Sequence, residues 1–315
     1  MPNSLYTPAQ VAAVAAELAK EDSVLTSLIS RNFDADIATA VGKTVDVRVG
    51  PALIARDRDI DETQAAVVMD DLAETTVPVS LTTHAYSAVG LSEGDVTLRI
   101  EDFSSQVLAP QVEAVVDKLE HLVAEKLRAV PLDTSIAYDS TNPVAAFTRI
   151  RATLRQRNVP AGGLVAVVGT AVYADLLDSK AITDASQSDS PAALREAQVG
   201  LVRGFTVVES TRLEEDEIVA FHKSAFTLAV RAPKVPEGAS FGETVSASGY
   251  ALRYLRDYDA KYTLDRSIVS IFAGVTAMPL FRVERDYELG TAKVTKVPNG
   301  AAIRISTSDA EPAGA

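Results

Sequence analysis

A single long amphipathic stretch, Asp102 to Ala129, constrains this chain more than any other feature. Val107, Leu108, Val112, Val115, Val116, Leu119, Leu122, Val123 and Leu127 recur at helical spacing, and the pattern sets Glu113, Asp117, Lys118, Glu120 and Glu125 on the opposite side. At ~1.5 Å per residue such a helix exceeds about 35 Å, long for a globular domain. Its stripe needs a broad apolar surface to cover it. Pro110 falls in the first turns, where it bends the helix or marks its true start.

The rest of the chain supplies strands and arms in quantity. Pro8 to Ile29 reads as one helix, with Thr7 as N-cap and Pro8 at the first helical position. Val45, Val47 and Val49 alternate with polar neighbours up to Pro51, and Thr75 to Leu81 alternates again, so both stretches predict strands. Between them, Ala52 to Glu74 carries Arg56 and Arg58 against Asp57, Asp59, Asp61, Glu62, Asp70, Asp71 and Glu74. A loop of that length is either a disordered insert or a segment ordered by a neighbour. Residues 134–224 read as a mixed α/β unit, with a helix over Pro143 to Arg157 stopped by Asn158 and Pro160, then a strand over Leu164 to Val168. Further helices are expected over 171–177 and 191–198, and strands over 205–209 and 218–222. Strands dominate afterwards, over 225–231, 245–257 and 263–273, and the tail from Leu280 to Thr307 reads as a small β appendage around the Pro298-Asn299-Gly300 turn.

Composition narrows the function classes. The 315 residues are 47% apolar, ample for a buried core. No apolar run approaches the roughly 20 residues that span a bilayer, and Met1 to Thr7 has neither a basic nor an apolar leader region, so no membrane partner is expected. Forty-three acidic against thirty basic residues give a net charge of −13, the wrong sign for a body that grips phosphates. Cys is absent, which removes disulfides, thiolate zinc sites and cysteine nucleophiles.

Motifs for chemistry fail one by one. Val41-Gly42-Lys43-Thr44 imitates the end of a phosphate-binding loop, but Ile37 stands where the earlier glycine belongs and a strand follows. Asp57, Asp59 and Asp61 imitate a calcium loop, yet Glu62 replaces its glycine and Val68 its closing glutamate. His121 and Glu125 lie one helical turn apart without the second His of a zincin motif. His84 and His222 have no nucleophile elbow nearby. Arg256, Asp257 and Asp259 form a charged cluster in a strand pair that suits a turn salt bridge or an intersubunit contact better than acid–base work. No catalytic residue, cofactor or metal site is expected.

The order of elements carries a resemblance. Asn32-Phe33-Asp34-Ala35-Asp36, Val41 to Arg48 leading to Pro51, Thr76 to Leu81, Ile100-Glu101-Asp102-Phe103, and Val107-Leu108-Ala109-Pro110 heading the long helix resemble, in that order, tailed-phage coat proteins with the Hong Kong 97-type fold. Asn158-Val159-Pro160, Ala193 to Glu196, Gly204 to Ser210, Ala225 to Pro233 and Leu252 to Asp259 continue the match, so it covers Ser4 to Val275. The match resembles especially the relatives of the Salmonella phage coat protein found in actinobacteriophages.

The resemblance implies an α+β capsid fold: an N-arm over 1–40, an E-loop over 41–83, a P-domain over 84–133 with its spine helix and over 225–279 with its strands, and an A-domain over 134–224, followed by a β extension over 280–315. It implies a subunit of an icosahedral shell that pairs with itself in hexamers and pentamers, with a separate scaffolding protein, a portal and a possible decoration protein as further partners. The shell, assembled in the host cytoplasm, would enclose double-stranded DNA without reading its sequence. Arg56, Arg58, Asp59 and Asp61 become candidate E-loop contacts, and Arg256, Asp257 and Asp259 candidate P-domain contacts. No lysine lies between Lys43 and Lys118, which departs from the members that cross-link through an E-loop lysine. An encapsulin-type compartment and an α/β enzyme with its site in 134–224 are the competing readings.

Overall fold

The computed structural model describes residues 8–21, 23–31, 42–49, 53–57, 68–70, 72, 74–92, 103–179, 200–239, 241–247, 250–289 and 291–307. They form two compact units, each assembled from three separated pieces of chain: 1–45, 79–127 and 226–276 make one, and 46–78, 128–225 and 277–315 the other. Two strands, β1 (Thr44–Val49) and β2 (Thr75–Ser80), form where alternation predicts strands, and they pair as a ribbon.

The first unit is organised by an antiparallel sheet. Strands β3 (Thr83–Ser92), β11 (Leu264–Ala277), β10 (Tyr250–Asp259) and β9 (Phe241–Ala247) lie side by side in that order, and β8 (Phe226–Arg231) also pairs with β11. Alternation alone predicts one strand over 245–257. Instead this stretch belongs to two strands: Ala247 and Tyr250 face each other across the antiparallel β9–β10 pair, so the apolar residues up to Ala247 and those from Tyr250 onward lie on different strands. β3 carries no expectation from sequence, because Thr-His-Ala-Tyr-Ser-Ala-Val-Gly-Leu-Ser is small, polar and only weakly alternating.

The long helix is present as α3 (Ala109–Arg128), headed by a π-helical turn over Ser104–Leu108. Pro110 explains the junction: it has no N–H to donate to the turn before it, and its ring crowds the carbonyl four residues back, which a widened turn relieves. Val112, Val115, Val116, Leu119, Val123 and Leu127 are buried. Gln111 is buried with them and ties the helix to the sheet: its Nε2 donates to the Ser267 carbonyl at 2.8 Å and the Ser87 carbonyl at 3.2 Å, and its Oε1 accepts from Ser267 Oγ at 2.7 Å.

Glu120 departs from the expected polar side of α3 and is only 4% exposed. The same group breaks the predicted N-terminal helix. In place of one helix over 8–29 there are α1 (Pro8–Glu21), packed on β9 and β10, and a single turn α2 (Leu25–Leu28). The Glu120 carboxylate accepts from the backbone N–H groups of Val24 (3.1 Å), Leu25 (2.7 Å) and Thr26 (2.9 Å), and from Thr26 Oγ1 (2.9 Å). A carboxylate at the N-terminus of a helical turn satisfies donors that the turn itself leaves open, so Glu120 starts α2 where a continuous helix would have no free N–H. Thr26 Oγ1 also meets the Tyr250 hydroxyl at 2.8 Å, and the Arg31 guanidinium lies 4.3 Å from the centre of the Tyr250 ring. Just beyond, Ser30 bridges to Thr227 of β8.

The second unit has a five-stranded mixed sheet in the order β14 (Ala302–Ser306), β7 (Glu217–His222), β4 (Leu164–Val168), β6 (Phe205–Glu209), β5 (Leu201–Val202). Central β4, Leu-Val-Ala-Val-Val, is buried throughout, as an apolar run without alternation requires. Helices α4 (Pro143–Gln156) and α5 (Thr170–Asp178) belong to this unit, and Phe147 of α4 meets Phe205 edge to face at 6.1 Å. Asn158 ends α4 as expected, in the left-handed conformation (φ 65°). Its N–H bonds to the Arg155 carbonyl and the Val159 N–H reaches back to Leu154, a Schellman closure. Arg203 and Gly204, both at positive φ, make the two-residue turn between β5 and β6. The helix expected over 191–198 lies outside the described residues.

The tail corrects the expectation of an appendage. β12 (Leu280–Asp286) and β13 (Thr291–Val297) do form a separate hairpin, but β14 is the edge strand of the five-stranded sheet, with Ala302, Ile303 and Ile305 buried. Arg304 fastens it. Its Nε donates to Glu217 Oε1 at 3.1 Å, its Nη2 contacts the same oxygen, and its Nη1 donates to the Arg128 carbonyl at 2.9 Å. Glu217 is almost wholly buried, and its other near cation, Arg128 Nε, stands 3.6 Å away. Arg304→Met is expected to destabilise the subunit by about 3 kcal/mol, since a buried carboxylate loses its main partner. A fall in urea midpoint at unchanged slope checks it.

Candidate functional site

Two surfaces came out of the sequence, and the structure treats them differently. Arg256, Asp257 and Asp259 sit near the turn joining β10 and β11. Arg256 pairs with Asp265 at 2.6 Å, while Arg266 pairs with Asp257 at 2.5 Å and Asp259 at 3.3 Å. Asp257 and Arg266 face each other directly across the strand pair. Opposite charges at such a position stabilise the pairing locally, so these groups have partners within the chain. Tyr258 and Tyr262 are exposed beside them.

Of the excursion between β1 and β2, residues 53–57, 68–70, 72 and 74 are described. Arg56 pairs with Asp70 at 2.5 Å, which, with the Ile54 N–H, holds the Asp70 carboxyl below the usual carboxylate range. Ile54 is buried and the Leu53 carbonyl accepts from Arg285 Nε at 3.0 Å. Val68, Met69 and Leu72 are exposed, Met69 at 88% and Leu72 at 73%. Arg58, Asp59 and Asp61 lie outside the described residues.

The remaining candidates for chemistry have structural surroundings. His121 pairs with Glu125 at 3.2 Å on the exposed side of α3. His222 Nδ1 meets Ser224 Oγ at 2.7 Å. No cluster of three or more His, Asp or Glu placed to hold a metal occurs among the described residues. Among them, too, no helix is long and apolar enough to cross a membrane.

A feature with no warning in the sequence is a cleft of about 550 Å³ in the first unit. Leu81, His84 and Phe272 supply its apolar and aromatic wall, and Lys43, Arg231 and Lys234 its cations; among the described lining residues none is acidic. Two backbone bonds and one side-chain bond hold the frame: Leu81 N–H donates to the Lys43 carbonyl at 2.7 Å, Thr82 N–H to the Ala273 carbonyl at 3.1 Å, and Arg253 Nη1 to the Lys234 carbonyl at 2.9 Å. His84 and Phe272 are opposite each other in the β3–β11 pair, with ring centres 4.8 Å apart. Burial, and then the charge of Arg253, holds the His84 imidazole below its usual range. The cleft residues are far apart in sequence, from 42 to 272, so no motif could announce it.

No protein-family description and no curated protein matches the chain. Solved structures do match over nearly its whole length. A structure from Mycobacterium phage Che8 is 17% identical at a TM-score of 0.57, covering 91% of this chain and 92% of that one. The capsid of Ralstonia phage GP4 is 10% identical at 0.58, covering 92% and 90%, and the capsid of cyanophage P-SCSP1u is 12% identical at 0.56, covering 85% and 84%. The chain therefore has the α+β Hong Kong 97-type fold of phage capsid proteins. At these identities the likeness is one of fold, and function is argued from it separately.

Proposed function

We propose that this chain is the major capsid subunit of a tailed DNA bacteriophage, a structural protein without enzymatic activity. The observation that carries the reading is the shared fold over about nine-tenths of both chains with phage capsid structures. In this reading 1–40 is the N-arm and 41–83 the E-loop. The P-domain takes 84–133, with α3 as its spine, and 225–279. Residues 134–224 form the A-domain, and 280–315 a C-terminal extension that gives β14 to the A-domain sheet.

The physical case is that the chain carries surface it does not cover itself. Met69, Leu72 and Val68 on the excursion, Tyr287 and Leu289 at the β12–β13 tip, and Tyr258 and Tyr262 at the β10–β11 turn are all exposed. Apolar groups of this kind gain burial when copies associate. Hexamers and pentamers closing into a shell around DNA would supply it. The net charge of −13 suits a wall that encloses DNA without gripping it. A separate scaffolding protein, a portal and a possible decoration protein are the further partners of this reading, which sets the chain close to the relatives of the Salmonella phage coat protein. With no lysine between Lys43 and Lys118, the shell is held without E-loop lysine cross-links.

Purified protein, alone or with a scaffolding protein co-expressed, is expected to sediment as large closed particles and to appear as shells in negative-stain electron micrographs. A stable small oligomer under every assembly condition would overturn the reading.

A further inference from the structure

We propose that β12 (Leu280–Asp286) is a self-recognition edge: two copies of the chain pair their β12 strands antiparallel about a two-fold axis at Val283, joining two hairpins into one four-stranded sheet. The inference rests on the self-assembly reading and adds to it a contact made by the part of the chain that lies beyond the sequence resemblance.

The β12–β13 hairpin is a two-stranded sheet, and among the described residues no further strand pairs with either of its edges. A lone hairpin is marginal in water, and an open edge is a template for another strand. The two edges differ in charge. β13, Thr291-Ala-Lys-Val-Thr-Lys-Val297, carries two lysines and no acid, so a second copy set against it meets like charge. β12, Leu280-Phe-Arg-Val-Glu-Arg-Asp286, carries two bases and two acids. Because side chains alternate between faces, Arg282 and Glu284 share one face, where they lie 3.6 Å apart and about half exposed. Pairing β12 with its own copy about Val283 sets Arg282 opposite the second copy's Glu284, and Glu284 opposite the second copy's Arg282. Moving the axis by one residue either way sets Arg282 against Arg282 or Glu284 against Glu284, so charge fixes the register. In that register Tyr287, which is 72% exposed, falls beside the second copy's Pro279 and Leu280, where its ring gains burial.

The chain has no cysteine, so one introduced thiol per copy reports the pairing. Val283→Cys places two thiols opposite each other at the axis, within reach of a cross-strand disulfide. Thr295→Cys on β13 leaves them three strand spacings apart, about 14 Å, too far to bridge. Full-length chains, as particles and as concentrated soluble subunit, are oxidised with diamide and run on non-reducing gels. Val283→Cys is expected to give a covalent dimer and Thr295→Cys none. Arg282→Glu and Glu284→Arg, each added to Val283→Cys, are expected to cut the dimer about tenfold, because two like-charge pairs replace two unlike ones. Mixing these two variant chains is expected to restore it, since each meets the opposite charge across the axis. No contact within one chain can produce that rescue. Circular dichroism checks the fold of each variant. If Val283→Cys unfolds, an Arg282→Cys chain mixed with a Glu284→Cys chain carries the same test. Equal dimer from Val283→Cys and Thr295→Cys, no dimer from either thiol design, or a mixture no better than its components would each overturn the proposal. Wild-type shells without a β12 dimer would sink this inference and leave the shell reading standing. Absence of wild-type shells would sink the shell reading, and cross-linking of the soluble subunit would still decide the β12 contact.

Discussion

Glu120→Ala is expected to cost the subunit about 4 kcal/mol and to release residues 23–31 from α3. The wild-type carboxylate takes four hydrogen bonds from Val24, Leu25 and Thr26, at 2.7 to 3.1 Å. Removing it leaves buried N–H groups of Leu25 and Thr26 without an acceptor, and each such group costs about 1–3 kcal/mol. The Thr26 hydroxyl keeps its contact with Tyr250, which sets an upper bound on the loss. Glu120→Gln is expected to fall between, because one oxygen still accepts while the new amide places a donor against a donor. Urea unfolding of the unassembled subunit measures the energy, and amide exchange over 23–31 locates it. If Glu120→Ala unfolds like wild type, the carboxylate does not hold the arm.

The second large effect is on assembly. Removing Ala52 to Glu74 and closing β1 to β2 with Asn-Gly is expected to leave a folded subunit and to abolish shells. The loss to the subunit is small on the described residues: Ile54 is buried, Arg56 and Asp70 pair with each other inside the deleted stretch, and Arg285 loses the Leu53 carbonyl. With Gly50 and Pro51 kept, the inserted Asn-Gly makes a four-residue connection, a length that joins paired antiparallel strands. The exposed Val68, Met69 and Leu72 leave with the segment, and with them the apolar surface offered to a second copy. Thermal unfolding near the wild-type temperature with no particles by sedimentation is the expected pair of results. Normal shells from the deleted chain would remove the excursion from assembly altogether.

Much of the architecture was legible because its signals are local. The α3 stripe, the Asn158 stop, the apolar run of β4 and the alternation of β1 and β2 each depend on residues within a few positions of one another. The order of short motifs along the chain added the capsid fold, which the solved capsids share. Other elements failed where a partner distant in sequence decides. The break between α1 and α2 is made by Glu120, some 95 residues away. A better reading of α3 had a clue, for Glu120 stands four residues from Val116 and from Ala124, both buried, which sets it on the covered side. β14 looked like tail because its place beside β7 and the Arg304–Glu217 pair bridge 87 positions.

The candidate site divides in the same way. Arg56, Arg256, Asp257 and Asp259 stood out as charged clusters, and the structure gives each of them an ion-pair partner within the chain. The cleft did not stand out at all, since its wall draws on the base of the β1–β2 ribbon, β3, the residues after β8, and β11.

By itself, then, the sequence determined the elements whose causes lie within a helical turn or a strand's alternation, the absence of cysteine chemistry, and a charge that disfavours gripping DNA. Only the tertiary structure decided which charges are satisfied at home, that Glu120 is a buried cap for a turn in another part of the chain, and that Lys43, His84, Arg231 and Phe272 share one cleft. The physical reason is range: propensity and periodicity act over a few residues, whereas burial and ion pairing depend on which distant segments the fold brings together.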